Sequence, residues 1–139
     1  EGSQATLRTL AAGMLLASGN DAANAAAVRV AGTQADFVMM MNRRAAQLGM
    51  KDTNFETPSG LDGQSHYSTA ADMALLARAA LENPDFRSLC SQTSLKLCYG
   101  NPPYDRWLAN HNRLLKEYPG CIGLKTAPWS PARSGPARP

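Results

Sequence analysis

Aromatic residues supply only 6% of this 139-residue chain and charged residues only 18%. Basic residues are scattered, Arg43-Arg44 is the one adjacent pair, and the net charge is only +3. That excludes the clustered cationic face of a nucleic-acid binder. No apolar run approaches the roughly 20 residues that a membrane-crossing helix needs, so no membrane segment is read in this stretch. Histidine occurs twice and cysteine three times, as Cys90, Cys98 and Cys121. Their spacing matches no metal site, so no metal and no cofactor is expected. An odd cysteine count leaves at least one thiol unpaired in a monomer, and the three are read as buried or half-buried thiols. The sequence opens on Glu1 rather than Met and shows no signal-peptide pattern, so a processed form or a fragment is expected.

What is present is 44% apolar, a composition that suits one soluble globular domain or most of one. Leu7, Leu10, Ala11, Met14 and Leu15 recur at helical spacing and predict a helix over roughly 5–17, with Gly19 as its C-terminal glycine. Residues 22–31 are apolar nearly all round, interrupted by Asn24 and Arg29, which predicts a buried helix capped by Asn20 or Asp21. Thr33 and Asp36 form a capping-box pattern ahead of a third helix to Leu48. Its stripe is Phe37, Met40, Met41, Ala45 and Leu48; the methionines are read as core filling and Arg44 as a packed stem with a snorkelling head. Residues 50–67 read as a long loop. Thr69 and Asp72 open a helix over 70–82 whose buried face is Met73, Leu76, Ala77 and Ala80. Asn83-Pro84 then stops it and starts a short turn of helix.

After that the period changes from helical to alternating. Ser94 to Tyr99 alternates and predicts a strand, Gly100-Asn101-Pro102-Pro103 a turn, and a second extended piece runs through Trp107. Cys121 to Thr126 reads as a further strand ending on polar residues. From Ala127 the text "APWSPARSGPARP" carries four prolines and no apolar period, which predicts a disordered tail over 127–139 behind a domain over 1–126. No internal repeat is present.

Two short motifs remain: Ser18-Gly19-Asn20 at a helix junction and Lys125-Thr126 at the end of the last extended piece. Each alone is weak, since turns and strand ends are ordinarily polar. Serine acyl-transferases of the penicillin-binding type use S-x-x-K, then S-x-N, then K-T-G, and these two stand in that order. The stretches "SGNDAANA", "MNRRAAQLGMKDTNF", "SGLDGQSHYSTAADMALLARAAL" and "NHNRLLKEYPGCIGLKT" resemble the D-alanyl-D-alanine carboxypeptidases, the low-molecular-mass penicillin-binding proteins, over roughly 1–126.

The resemblance implies an α/β (α+β) fold: the helical part of the penicillin-binding transpeptidase/β-lactamase-like architecture with an incomplete antiparallel sheet. It implies a serine-type hydrolase that trims peptidoglycan stem peptides ending in D-Ala-D-Ala through an acyl-enzyme, and that β-lactams trap. On the motif match Ser18 helps relay the proton and Asn20 hydrogen-bonds the peptide backbone. Lys125 supplies positive charge near the substrate carboxylate, and Thr126 hydrogen-bonds it. The Ser18 hydroxyl and Lys125 ammonium should then lie within direct or water-bridged reach. An extracytoplasmic setting follows from the substrate.

The departures matter too. No S-x-x-K occurs in the sequence; Thr93-Ser94-Leu95-Lys96 starts on Thr. In the family that motif lies upstream of the residue where this sequence starts. The family's K-T-G glycine is Ala127, and Pro128 follows where an oxyanion-donating N–H is expected; proline has none. The chain as written is therefore expected to be inactive. The alternatives are a class A β-lactamase-like hydrolase, of whose Glu-bearing loop no counterpart is seen, and a non-catalytic remnant that binds peptidoglycan peptides.

Overall fold

The structure is a computed structural model and describes residues 4–61 and 63–126. Three helices follow one another from the N-terminal side: α1 (Leu7–Ala17), α2 (Asn20–Ala31) and α3 (Gln34–Gln47). After the loop come α4 (Ala70–Leu81) and α5 (Pro84–Cys90), then β1 (Ser94–Tyr99), β2 (Tyr104–Ala109) and the single turn α6 (Leu114–Glu117). The 127–139 segment, with the tail expected there, lies outside the described residues.

The helix starts are set by side chains that take up orphan backbone N–H groups. The Thr6, Thr33 and Thr69 hydroxyls accept from the N–H groups of Thr9, Asp36 and Asp72 at 3.1, 3.0 and 3.2 Å. Asn83 accepts from Asp85 and Phe86, with Pro84 in the first turn where its missing N–H costs nothing. The capping signals at Thr33, Thr69 and Asn83 are thus where the sequence put them.

α1 is the hub. It packs on α2, on α5 and on the β1–β2 ribbon, with Ala12 and Leu16 fully buried. The rest of the core is Ala23, Ala26 and Ala27 of α2, Ala45, Met50, Leu89 and Cys90. Small residues set the α1–α2 spacing: a Cβ built on Gly13 would already stand 3.3 Å from the Ala22 Cβ. The sheet is an antiparallel pair with Ser94 opposite Ala109 and Tyr99 opposite Tyr104. On β1 the inner positions are Leu95, Leu97 and Tyr99, the period-2 pattern of a half-buried strand.

Several expectations are corrected. α2 buries one side only: Val28 and Val30 are 46% and 49% exposed, because α1 and α3 cover just the Ala23–Ala26–Ala27 face. Met39 and Met40 are likewise exposed, so these methionines do not fill a core. On α4, Met73 is exposed and Asp72 is buried instead, because the carboxylate is claimed by hydrogen bonds described below. Cys121–Thr126 forms no strand; Gly123 and Leu124 both take positive φ, 119° and 72°, which breaks an extended run. No helix among the described residues is long and apolar enough to cross a membrane.

Candidate active site

The first wall is the α1–α2 junction. Gly19 does not end α1 in a left-handed turn, as the sequence suggested; Ser18 does, at φ 56° and ψ 35°. The N–H groups of Ser18 and Gly19 both donate to the Gly13 carbonyl oxygen, so the chain leaves the helix within two residues. Gly19 is then the N-cap of α2, without a side-chain cap, and Asn20 is the first helical residue. Neither Asn20 nor Asp21 caps the helix; Asp21 Oδ1 accepts only from the neighbouring Ala22 N–H. The Asn20 amide is free of capping duty. A left-handed non-glycine residue is uncommon and costs about 1–2 kcal/mol, and such residues cluster at functional sites.

The second wall is the 121–126 segment. Gly123 presses on the end of α5: an added Cβ would fall 2.5 Å from the Cys90 carbonyl oxygen and 2.8 Å from its Sγ. Leu124 turns the chain back and presents Lys125 and Thr126 to the cleft. The Lys125 side chain is exposed as a whole, yet the cleft walls partly strip its ammonium of water and lower its pKa below the ordinary lysine value. Its Nζ donates to the Thr126 carbonyl oxygen.

The third wall went unrecognised in the sequence. Pro58, Ser59, Gly60 and Leu61 line the same cleft, with the Thr57 hydroxyl donating to the Leu61 carbonyl oxygen at 3.0 Å. This loop is held at several points. Asn54 and Tyr67 exchange backbone hydrogen bonds at 2.9 and 3.0 Å. The Asn42 side chain of α3 both donates to and accepts from the backbone of Phe55, each at 2.8 Å. Asp72 Oδ2 accepts from the Asp52 N–H at 2.8 Å and from the Thr53 hydroxyl at 2.7 Å. The available signal was its length, since long structureless loops in compact domains are usually functional.

Ser18, Asn20, Lys125 and Thr126 therefore line one cleft of about 440 Å³, floored by Met14, Leu15 and Ala23. The Lys125 ammonium turns to Thr126 rather than hydrogen-bonding the Ser18 hydroxyl. An apolar floor ringed by the hydroxyl residues Ser18, Ser59 and Thr126, one amide and one ammonium suits an extended peptide ending in a carboxylate. Among the described residues no group of three or more His, Cys, Asp or Glu could hold a metal ion.

The family model described as D-alanyl-D-alanine carboxypeptidase matches residues 1–133. The D-alanyl-D-alanine carboxypeptidase DacF of Bacillus subtilis is 40% identical over 127 residues, which cover 90% of this chain and 32% of that protein. DacB2 of Mycobacterium tuberculosis, with the same description, is 43% identical over 130 residues, 92% of this chain and 44% of that one. The chain thus spans less than half the length of these relatives. Among solved structures, a D-alanyl-D-alanine carboxypeptidase from Mycobacterium tuberculosis superposes with TM-score 0.78 at 42% identity, covering 86% of this chain and 45% of that one. A DD-transpeptidase from Streptomyces superposes with TM-score 0.85 at 30% identity, covering 92% and 53%.

Proposed function

The chain belongs to the D-alanyl-D-alanine carboxypeptidase family, and from that premise we propose that it forms the peptide-binding side of a serine-type carboxypeptidase site. The observation that carries this reading is the convergence of Ser18, Asn20, Lys125 and Thr126 on one cleft from opposite ends of the chain. The substrate is a peptidoglycan stem peptide ending in D-Ala-D-Ala, and β-lactams are its mimics. Its setting is outside the cytoplasm, where that polymer lies.

In the reaction a serine hydroxyl attacks the carbonyl between the two D-alanines, the terminal D-alanine leaves, and water releases the acyl group. The Lys125 ammonium and the Thr126 hydroxyl hold the terminal carboxylate, a charge-assisted contact in a partly dry cleft. Asn20 takes the peptide backbone, since its amide both donates and accepts. Ser18 passes a proton, because a hydroxyl can give one and take another.

The nucleophile is not supplied by this stretch. No Ser in the printed sequence has a Lys three residues later. Pro128, at the position of an oxyanion donor in the family, has no N–H, and one lost donor costs roughly 2.7–4 kcal/mol of transition-state stabilisation. We propose that the 139 residues as written bind the peptide without acylating. Intact-mass spectrometry after incubation with excess penicillin tests this, beside titration with an N-acetylated peptide ending in D-Ala-D-Ala. The expected result is no adduct, with peptide-induced NMR shifts at Lys125 and Thr126. One penicillin bound covalently to a single serine overturns the non-acylating reading; absent shifts overturn the binding.

A further inference from the structure

The sequence Asn110-His111-Asn112 does not line the cleft but contacts two of its three walls. The His111 N–H donates to the Leu16 carbonyl oxygen at 3.1 Å, two residues before Ser18. The Asn112 Nδ2 donates to the Gly123 carbonyl oxygen at 2.9 Å, with a longer 3.5 Å contact to Leu124, directly before Lys125. Asn110 ties the same tripeptide to the end of α5: its Nδ2 donates to the carbonyl oxygens of Cys90 and Gln92 at 3.1 and 2.9 Å.

Asn112 is 8% exposed, and its side chain is used at both ends. Its Oδ1 accepts from the Leu114 N–H at 3.2 Å while its own N–H donates to Asn110 Oδ1 at 2.9 Å. One end of the amide meets an N–H and the other meets two carbonyls, so only one orientation satisfies it. An aspartate has the same shape but would set a carboxylate oxygen against the Gly123 carbonyl with nothing to donate. The segment it holds has no strand pairing of its own.

We infer that Asn112 is a positioning residue that fixes Lys125 and Thr126 against the Ser18 wall, and that the 110–112 tripeptide is the bracket joining the two walls. The inference rests on the reading that Lys125 and Thr126 hold the peptide carboxylate, though the bracket itself is read separately. The 139-residue chain, isotope-labelled, is compared with Asn112→Asp by NMR. In the parent a through-hydrogen-bond coupling is expected between the Asn112 side-chain nitrogen and the Gly123 carbonyl carbon. In Asn112→Asp the amide signals of Leu124, Lys125 and Thr126 should move while those of α2 and α3 stay. Affinity for the D-Ala-D-Ala peptide should fall roughly tenfold, the loss of about one hydrogen bond. Amide signals at 124–126 that stay in place in a folded Asn112→Asp overturn the bracket. If that variant fails to fold, the coupling in the parent decides: its presence supports the bracket and its absence overturns it. A parent that ignores the peptide overturns the proposed function, while the coupling and the amide shifts still judge the bracket.

Discussion

Ser18 closes the first helix and Lys125 lies beyond the hairpin, yet both line one cleft, and no hydrogen bond joins them. Their proximity is made by other groups: Ser18 by its left-handed backbone, Lys125 by the Gly123 seat on Cys90. Each of those supports can be removed separately.

Ser18→Gly should stabilise the chain while deleting the hydroxyl. Ser18 sits at φ 56°, where glycine avoids a cost of about 1 kcal/mol or more. A thermal melt should rise by roughly 2–4 °C. Ser18→Ala deletes the same hydroxyl but keeps the Cβ, and should show no such rise. Equal melts for the two variants would remove strain as the explanation.

Gly123→Ala should cost about 2–3 kcal/mol, because the new methyl meets the Cys90 backbone at 2.5 Å and backbone cannot swing away. Gly120→Ala is the control. Gly120 also has positive φ, 86°, but nothing lies within 4 Å of its Cβ position, so only the backbone cost of about 1 kcal/mol is expected. Urea unfolding of the pair measures the difference. Only the Gly123 variant should also weaken binding of the D-Ala-D-Ala peptide.

Asp72→Ala should destabilise by about 2 kcal/mol, since it takes the acceptor from the Asp52 N–H and leaves the Thr53 hydroxyl with Ser68 alone, at 2.8 Å. Asp72→Asn should cost about 1 kcal/mol, because both donors converge on one oxygen and the amide still offers one. Amide exchange should quicken at residues 52–54 in the alanine variant and much less in the asparagine one. Equal unfolding midpoints for the two variants would contradict this.

The Lys125 ammonium should titrate below the ordinary value of about 10.4, because burial disfavours its charged form. A base with a lowered folded pKa carries its charging cost fully below that pKa. The cost is relieved as pH rises through the window up to the ordinary value. The parent should therefore gain stability relative to Lys125→Met across that window. NMR of the Lys125 side chain reads the midpoint directly, and bound D-Ala-D-Ala peptide, bringing a carboxylate, should raise it. A free-chain midpoint at or above the ordinary value would refute the desolvation.

Local chemistry was legible in the sequence where it acts within a few residues. Thr33 with Asp36, Thr69 with Asp72 and Asn83-Pro84 mark helix starts because a side chain there reaches its own backbone. The β1 alternation and the turn at Gly100–Pro103 are of the same kind. The motifs at Ser18–Asn20 and Lys125–Thr126 were legible as text, by likeness to a family.

Which apolar residues are covered was decided only by tertiary structure. Val28, Met40 and Met73 carry helical apolar patterns as good as those of Ala26 and Ala45, yet stand exposed because no described element packs over them. Asp72 is buried because the far end of a loop brings two donors to it. The sequence determined helices α1 to α5 and the hairpin, while the single turn α6 had no signal in it. Tertiary structure decided that Ser18 takes the left-handed turn, that 121–126 is no strand, and that Pro58–Leu61 forms a third wall. The physical reason is range: caps and periods are satisfied by neighbours along the chain. A cleft is satisfied by hydrogen bonds such as Asn112 to Gly123, whose partners sequence proximity does not specify.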